Sequence, residues 1–197
     1  DMPTLTFLNT CHFDHGAIGL LQKSLDSLGI KRPLIATDKG IAAAGILDTV
    51  KDAMSDGASA AVSDEPPGNP TEAAVMAALK LYQDEACDGV IALGGGSAMD
   101  LGKTVALLAV SGGPLAQYDP MSGGNKLDKG LAPVIAIPTT SGTGSEVSLG
   151  MVIVLDDGRK MTFGNPKFIP PVAICDPDLT LGLPPVLTAA TGMDAIT

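Results

Sequence analysis

Apolar residues fall along this chain in two patterns: short unbroken runs and longer stretches at helical spacing. Leu5–Leu8, Pro33–Thr37, Ala58–Val62, Gly89–Leu93, Pro133–Ile137 and Val172–Cys175 are the runs, and they predict strands. Between them lie helical patterns. Gly16 to Gly29 carries Ile18, Leu21, Leu25 and Leu28 on one face, and Gly29 can close it. Ile41 to Met54 reads as a second helix. Asn69-Pro70-Thr71-Glu72 predicts a helix start, with Asn69 as cap, Pro70 at the first helical position and Glu72 completing a capping box. Val75, Leu79 and Tyr82 continue that helix. Ser97 to Val110 forms another, with Leu101, Val105 and Leu108 turned inward. Met151–Leu155 and Lys160–Phe163 flank an Asp156-Asp157-Gly158 turn and predict a β-hairpin. Pro184-Pro185 opens a last helix through Leu187, Ala190 and Met193, which is still running at Thr197.

Strand and helix therefore alternate, and the later strands are apolar throughout rather than on every second residue. That is the pattern of a strand buried on both faces. We expect an α/β fold with a mostly parallel, Rossmann-like sheet, helices on both faces and one added hairpin. Ligands of such sheets bind beyond the carboxyl ends of the strands. This ranks the loops Thr37-Asp38, Glu65–Asn69, Gly94–Ser97 and Thr139–Ser145 first.

Composition narrows the field. Hydrophobic residues are 45% and charged residues 17% of 197 positions, enough apolar matter for a core. Aromatics are only 3%, so the core is built of Ala, Val, Ile, Leu and Met. The net charge of −10, without a basic cluster, argues against nucleic acid and against an anionic membrane surface. No apolar run approaches the roughly 20 residues of a membrane span. The three cysteines are widely spaced and form no CxxC, which fits a reducing cytoplasm. His12 and His15, with Cys11 and Asp14, match no usual zinc spacing and are expected in a loop near the first helix.

The stretch GGGSAMDLGKT, Gly94 to Thr104, carries the first candidate chemistry. A phosphate loop needs a glycine five places before Gly102-Lys103-Thr104, but Ser97 stands there. Lys103 also falls well inside the helical pattern. The dinucleotide fingerprint GxGxxG fails at Met99, and the strand-ending acid, Asp38, lies upstream instead of about 20 residues downstream. The physics still favours an anion. Glycines let backbone approach it closely, and a helix N-terminus offers unpaired N–H groups. The bland reading is a plain β–α turn, for which one glycine would suffice. The second candidate, PTTSGTGSE from Pro138 to Glu146, packs hydroxyls and glycines after a strand; its bland reading is a helix cap. No GxSxG elbow is present and both histidines lie near the N-terminus, so a serine hydrolase has little support.

Together GGGSAMDLGK, PTTSGTGSEV, DPDLTLGLPP and ATGMDAIT, in this order, resemble the iron-containing (group III) alcohol dehydrogenase family from about Leu5 to Thr197. The resemblance implies an α/β cofactor domain over residues 1–182, and at 183–197 the start of an all-helical metal-binding domain. The chain is then the front part of a longer protein. The implied activity is interconversion of an alcohol and an aldehyde or ketone by metal-assisted hydride transfer to NAD, with NADP as the alternative. The implied cofactor contacts are Asp38 for the adenosine ribose, Asn69 near the phosphates, and Gly95, Gly96 and Ser97 for the pyrophosphate. Thr139 and Thr140 would line the cofactor with Thr143 and Ser145 nearby, Lys160 would reach a ribose, and Leu179 and Leu183 would flank it. Gly150 stands where some relatives have a polar residue. Asp194 corresponds to the carboxylate ligand of a divalent metal, Fe or Zn, whose histidine ligands lie beyond this chain. The family also implies a homodimer, often through the strand near Leu5–Asn9. Three other readings stay open: a P-loop NTPase, a dehydroquinate-synthase-like lyase that uses NAD transiently, and a non-catalytic binding domain.

Overall fold

The computed structural model describes residues 8–55, 59–64, 68–119 and 129–197. The unbroken apolar runs become the middle of one sheet. Its six strands are β1 (Thr10–Phe13), β2 (Pro33–Ala36), β3 (Ala61–Ser63), β4 (Gly89–Gly94), β5 (Val134–Pro138) and β8 (Val172–Cys175). They lie in the order β1-β8-β5-β4-β2-β3, and every neighbouring pair is parallel. β6 (Gly150–Val154) and β7 (Lys160–Gly164) form a separate antiparallel hairpin.

The helices are α1 (Leu21–Leu28), α2 (Lys39–Ala43), α3 (Ile46–Asp52), α4 (Glu72–Asp84), α5 (Gly96–Ser111) and α6 (Pro185–Ile196). Alternation along the central strands divides the core in two. Leu34, Ala36, Val90, Ala92, Val134 and Ala136 face α4, α5 and the hairpin, where Met151, Ile153 and Phe163 close the layer. Ile35, Ile91, Leu93, Ile135 and Ile137 face α1 and α3 through Leu21, Leu25, Leu47 and Val50. The first face is lined with alanines because α5 lies very close to it. A Cβ on Gly102 would come within 2.8 Å of the Ala92 Cβ and 3.2 Å of Val90. Gly102 is therefore a packing glycine, which accounts for the Gly-Lys-Thr that imitates a phosphate loop.

Several local expectations are corrected. Cys11 and His12, expected in a loop, lie in the edge strand β1, which among the described residues pairs only with β8. Its residues, apolar Phe13 included, are largely exposed and carry no burial pattern, so pairing alone reveals it. Of the predicted strand Leu5–Leu8, Leu5 to Phe7 lie outside the described residues and Leu8 is not in a strand. Ala58 and Glu65–Pro67 also lie outside them; the strand expected at Ala58–Val62 is Ala61–Ser63. Gly16 to Gly29 begins as a 3-10 turn at Ala17–Leu20 before α1, and Gly29 closes it in the left-handed region. The single helix expected from Ile41 to Met54 is two, broken at Gly45, whose φ is 75°. Thr71, not Asn69, caps α4: its hydroxyl accepts the Ala74 N–H at 3.2 Å. Pro70 is held outside the helix because its carbonyl accepts the Val154 N–H of the hairpin. Glu72, the first helical residue, accepts the Asp156 N–H instead of closing a capping box.

Candidate functional site

From β2 the chain leaves toward β3, and from β4 it leaves in the opposite direction toward β5. The divergence opens a crevice beyond the carboxyl ends of β2 and β4. A cavity of about 830 Å³ occupies it. Asp38, Asn69, Gly95, Gly96, Ser97, Thr139, Thr140, Leu179 and Leu183 all line this cavity, though they come from five separate segments. Ile41, Ala74, Leu101 and Leu187 add apolar wall.

Each contribution has a local cause. Asp38 follows β2 and caps α2, its Oδ1 accepting the Ile41 N–H at 3.0 Å. That bond fixes the carboxylate at the cavity wall, and Asp38 is the one charged side chain among the described lining residues. Its second oxygen points toward β4: a Cβ on Gly94 would stand 3.7 Å from it. Gly94 has φ 142° and is pressed against Ala98, whose Cβ would be 2.8 Å from an added one. Only glycine fits here. The chain then turns at Gly95 into α5 with no side-chain cap, so the N–H groups of its first turn face the cavity mouth unpaired by any side chain. Thr139, whose N–H is held by the Gly94 carbonyl, places the second loop beside the first.

Two buried hydroxyls in this wall, those of Thr37 and Thr139, have no hydrogen-bond partner among the described residues. An orphaned buried hydroxyl is costly unless a ligand satisfies it. The donor set is that of a site for a large anionic, hydroxyl-bearing molecule: a helix N-terminus, hydroxyls and one carboxylate, with apolar walls.

Four expected site residues lie outside the cavity. Thr143 is exposed and packs its side chain against Gly96, 3.2 Å from where a Cβ would be. Lys160 is exposed at the start of β7, opposite Val154. Ser145 is buried and donates its hydroxyl to Asp100 at 2.5 Å. Asp194 is exposed on α6, which rests on the second loop: a Cβ on Gly142 would meet the Thr191 carbonyl at 2.6 Å and the Asp194 Cβ at 2.8 Å. Four-coordinate metals need further ligands, and among the described residues no group of three or more His, Cys, Asp or Glu side chains is placed to hold a metal ion. The described residues therefore do not by themselves make up a metal site.

The residues that sequence reading missed hold the second loop. Lys103 is fully buried. Its ammonium donates to the carbonyls of Ser145 (3.1 Å), Ser148 (3.3 Å) and Gly150 (2.6 Å) and to the Ser145 hydroxyl (3.3 Å). Asp100 lies 3.7 Å away and accepts the Val152 N–H at 2.9 Å. Burial pushes the Asp100 carboxyl up and pulls the Lys103 ammonium down, each opposed by the other charge. Spacing of i and i+3 on α5 was the only available signal for this pair. Lys103 is thus turned away from the cavity, against a phosphate-loop role.

Residues 9–177 match the family model described as iron-containing alcohol dehydrogenase. The 4-hydroxybutyrate dehydrogenase of Cupriavidus necator is 51% identical over 99% of this chain. Among solved structures, a 1,3-propanediol oxidoreductase superposes with a TM-score of 0.91 at 34% identity, over 99% of this chain and 51% of its own. A sulfoacetaldehyde reductase from Bifidobacterium kashiwanohense, in complex with NAD+, superposes with a TM-score of 0.85 at 33% identity, over 98% of this chain and 51% of its own. The chain spans about half the length of the curated relatives it matches.

Proposed function

This chain belongs to the iron-containing alcohol dehydrogenase family, and on that premise we propose that it is the cofactor-binding part of a nicotinamide-dependent oxidoreductase. The complete protein would interconvert a small alcohol and its aldehyde or ketone. The observation that carries the reading is the crevice at the β2/β4 switch point, where one carboxylate and an uncapped helix N-terminus face the same cavity.

The residues present suit NAD. Asp38 accepts hydroxyls of the adenosine ribose, and its charge repels a 2′-phosphate, so NAD is preferred over NADP. Gly95, Gly96 and Ser97 offer backbone N–H groups to the pyrophosphate. Thr37 and Thr139 find in the cofactor the partners that the described residues do not supply. Asn69 and Thr140 add polar contacts, while Leu179 and Leu183 wall off water beside the ring. The bound nicotinamide supplies the hydride acceptor; the protein supplies orientation and a dry cavity. Thr143, Ser145 and Lys160 act through the loop and hairpin that carry them, Ser145 by anchoring its loop on Asp100. A divalent metal, Fe or Zn, belongs to the complete protein, with Asp194 as this chain's one ligand. A homodimer and a cytoplasmic location are part of the same reading. The three cysteines, widely spaced in sequence and without a CxxC, fit that location. Among the described residues no helix is long and apolar enough to cross a membrane.

Calorimetric titration of the chain with NAD, NADP and Mg-ATP tests the reading. NAD should bind best, and Asp38→Gly should move the preference toward NADP. Binding of Mg-ATP without either dinucleotide overturns it. NADH formation by the complete protein from a simple alcohol would exclude the lyase alternative.

A further inference from the structure

The sheet edge farthest from β3 carries two cysteines that the cofactor cavity does not use. β1 and β8 run parallel, with Cys11 opposite Ala173 and Phe13 opposite Cys175. Residues of matched or even offset point to the same face of a parallel pair, so both thiols lie on one side. They lean toward each other until the sulfurs are 3.6 Å apart. Cys11 is exposed and Cys175 is half-buried, and both are free thiols.

We propose that Cys11 and Cys175 form a reversible disulfide when the protein meets a peroxide, which makes this edge a redox modification site. Cys11 is the sulfur a dissolved oxidant reaches first. Its thiolate attacks one peroxide oxygen, the O–O bond breaks, and one water leaves with Cys11 as a sulfenic acid. The Cys175 sulfur then attacks the Cys11 sulfur. The S–O bond breaks, and the departing hydroxide takes the Cys175 proton and leaves as a second water. Two thiols lose two electrons in all, and one peroxide becomes two waters. A dithiol reverses the step by exchange.

The division of labour follows from the surroundings. Burial, then the contact with Cys11, pushes the Cys175 thiol up to about 12, so Cys175 waits protonated and resolves. A disulfide needs sulfurs about 2 Å apart, so the pair must close by about 1.5 Å. β1 is four residues long and, among the described residues, bonded to the sheet on one side, which makes it the strand able to supply that movement. The bond would fasten β1 to the end of β8. There Asp176, the next residue, is buried and accepts the N–H groups of Gly16 (3.2 Å) and Ile18 (3.0 Å). Oxidation would therefore tie the entry to α1 to the segment that leads to Leu179.

The test is peptide mapping under non-reducing conditions after treatment of the protein with hydrogen peroxide and alkylation of the remaining thiols. The expected product joins the Cys11 and Cys175 peptides within one chain, lighter by two hydrogens. Free thiols fall from three to one, Cys87 remaining, and dithiothreitol restores them. Cys87→Ser should leave the cross-link intact, while Cys11→Ser and Cys175→Ser should each abolish it. Amide exchange across Thr10–Phe13 should slow in the oxidised protein, because the edge no longer frays. Conversion of Cys11 to sulfinic acid with Cys175 still alkylated, or a Cys11–Cys11 link between two copies, would overturn the proposal.

Discussion

Replacing Lys103 with methionine tests whether the second loop is held by a buried charge. Methionine keeps most of the apolar stem of lysine, one atom shorter, and has no donor. Lys103→Met leaves the carbonyls of Ser145, Ser148 and Gly150 without their ammonium, and Asp100 without its counter-charge. Removing one partner of a buried pair costs about 3–5 kcal/mol. A domain of this size is stable by about 5–15 kcal/mol, so the loss is a large share of the total. At roughly 2–4 °C per kcal/mol, the midpoint of thermal unfolding should fall by about 10 °C. Urea unfolding would read the change as a lower midpoint at constant m. Adding Asp100→Leu should recover part of the loss, because a matched apolar pair buries no orphan charge. The pH dependence has a defined sign. Burial raises the Asp100 carboxyl, and without Lys103 it rises further. A carboxyl whose folded value is raised contributes stability below its unfolded value, and loses it as pH climbs through the folded value. The deficit of Lys103→Met should therefore shrink as pH is lowered toward about 4. A single variant within ~1 kcal/mol of the parent at neutral pH would refute the clamp.

Gly142→Ala places a methyl 2.6 Å from the Thr191 carbonyl at a φ of 97°. It should cost about 1–3 kcal/mol and speed amide exchange in α6, measured by mass spectrometry. Asp178→Asn should lower the His15 pKa toward the ordinary ~6.5, read by NMR of the imidazole, since the Asp178 hydrogen bond and charge are the main causes that raise it. In the parent that raised value favours the fold below the unfolded value and the benefit is lost as pH climbs through the folded one, so the variant should have a flatter stability profile near neutrality.

The two glycine-rich loops, the central strands and the hairpin were legible because each is a local matter. A run such as Val90–Leu93 is buried on both faces whatever its neighbours are, and Asp157-Gly158 turns a chain back within a few residues. Asp38 stood out as a polar residue ending an apolar strand, and it caps the helix that follows. What the sequence could not place were choices made between distant segments. Asn69 and Thr71 are both acceptable caps; the hairpin's hold on Pro70 decided for Thr71. Lys103 is out of phosphate-loop register and inside a helix by sequence alone, but the three loop carbonyls that accept from its ammonium, in the interior, come from a segment more than 40 residues away. Cys11 and Cys175 are 164 residues apart and meet only because β1 is laid beside β8. Periodicity and turn chemistry act over a few residues and so fixed the elements in advance. The order of strands, the crevice between diverging loops and the pairing of remote side chains come from burying two faces of one sheet at once, which only the folded chain can decide.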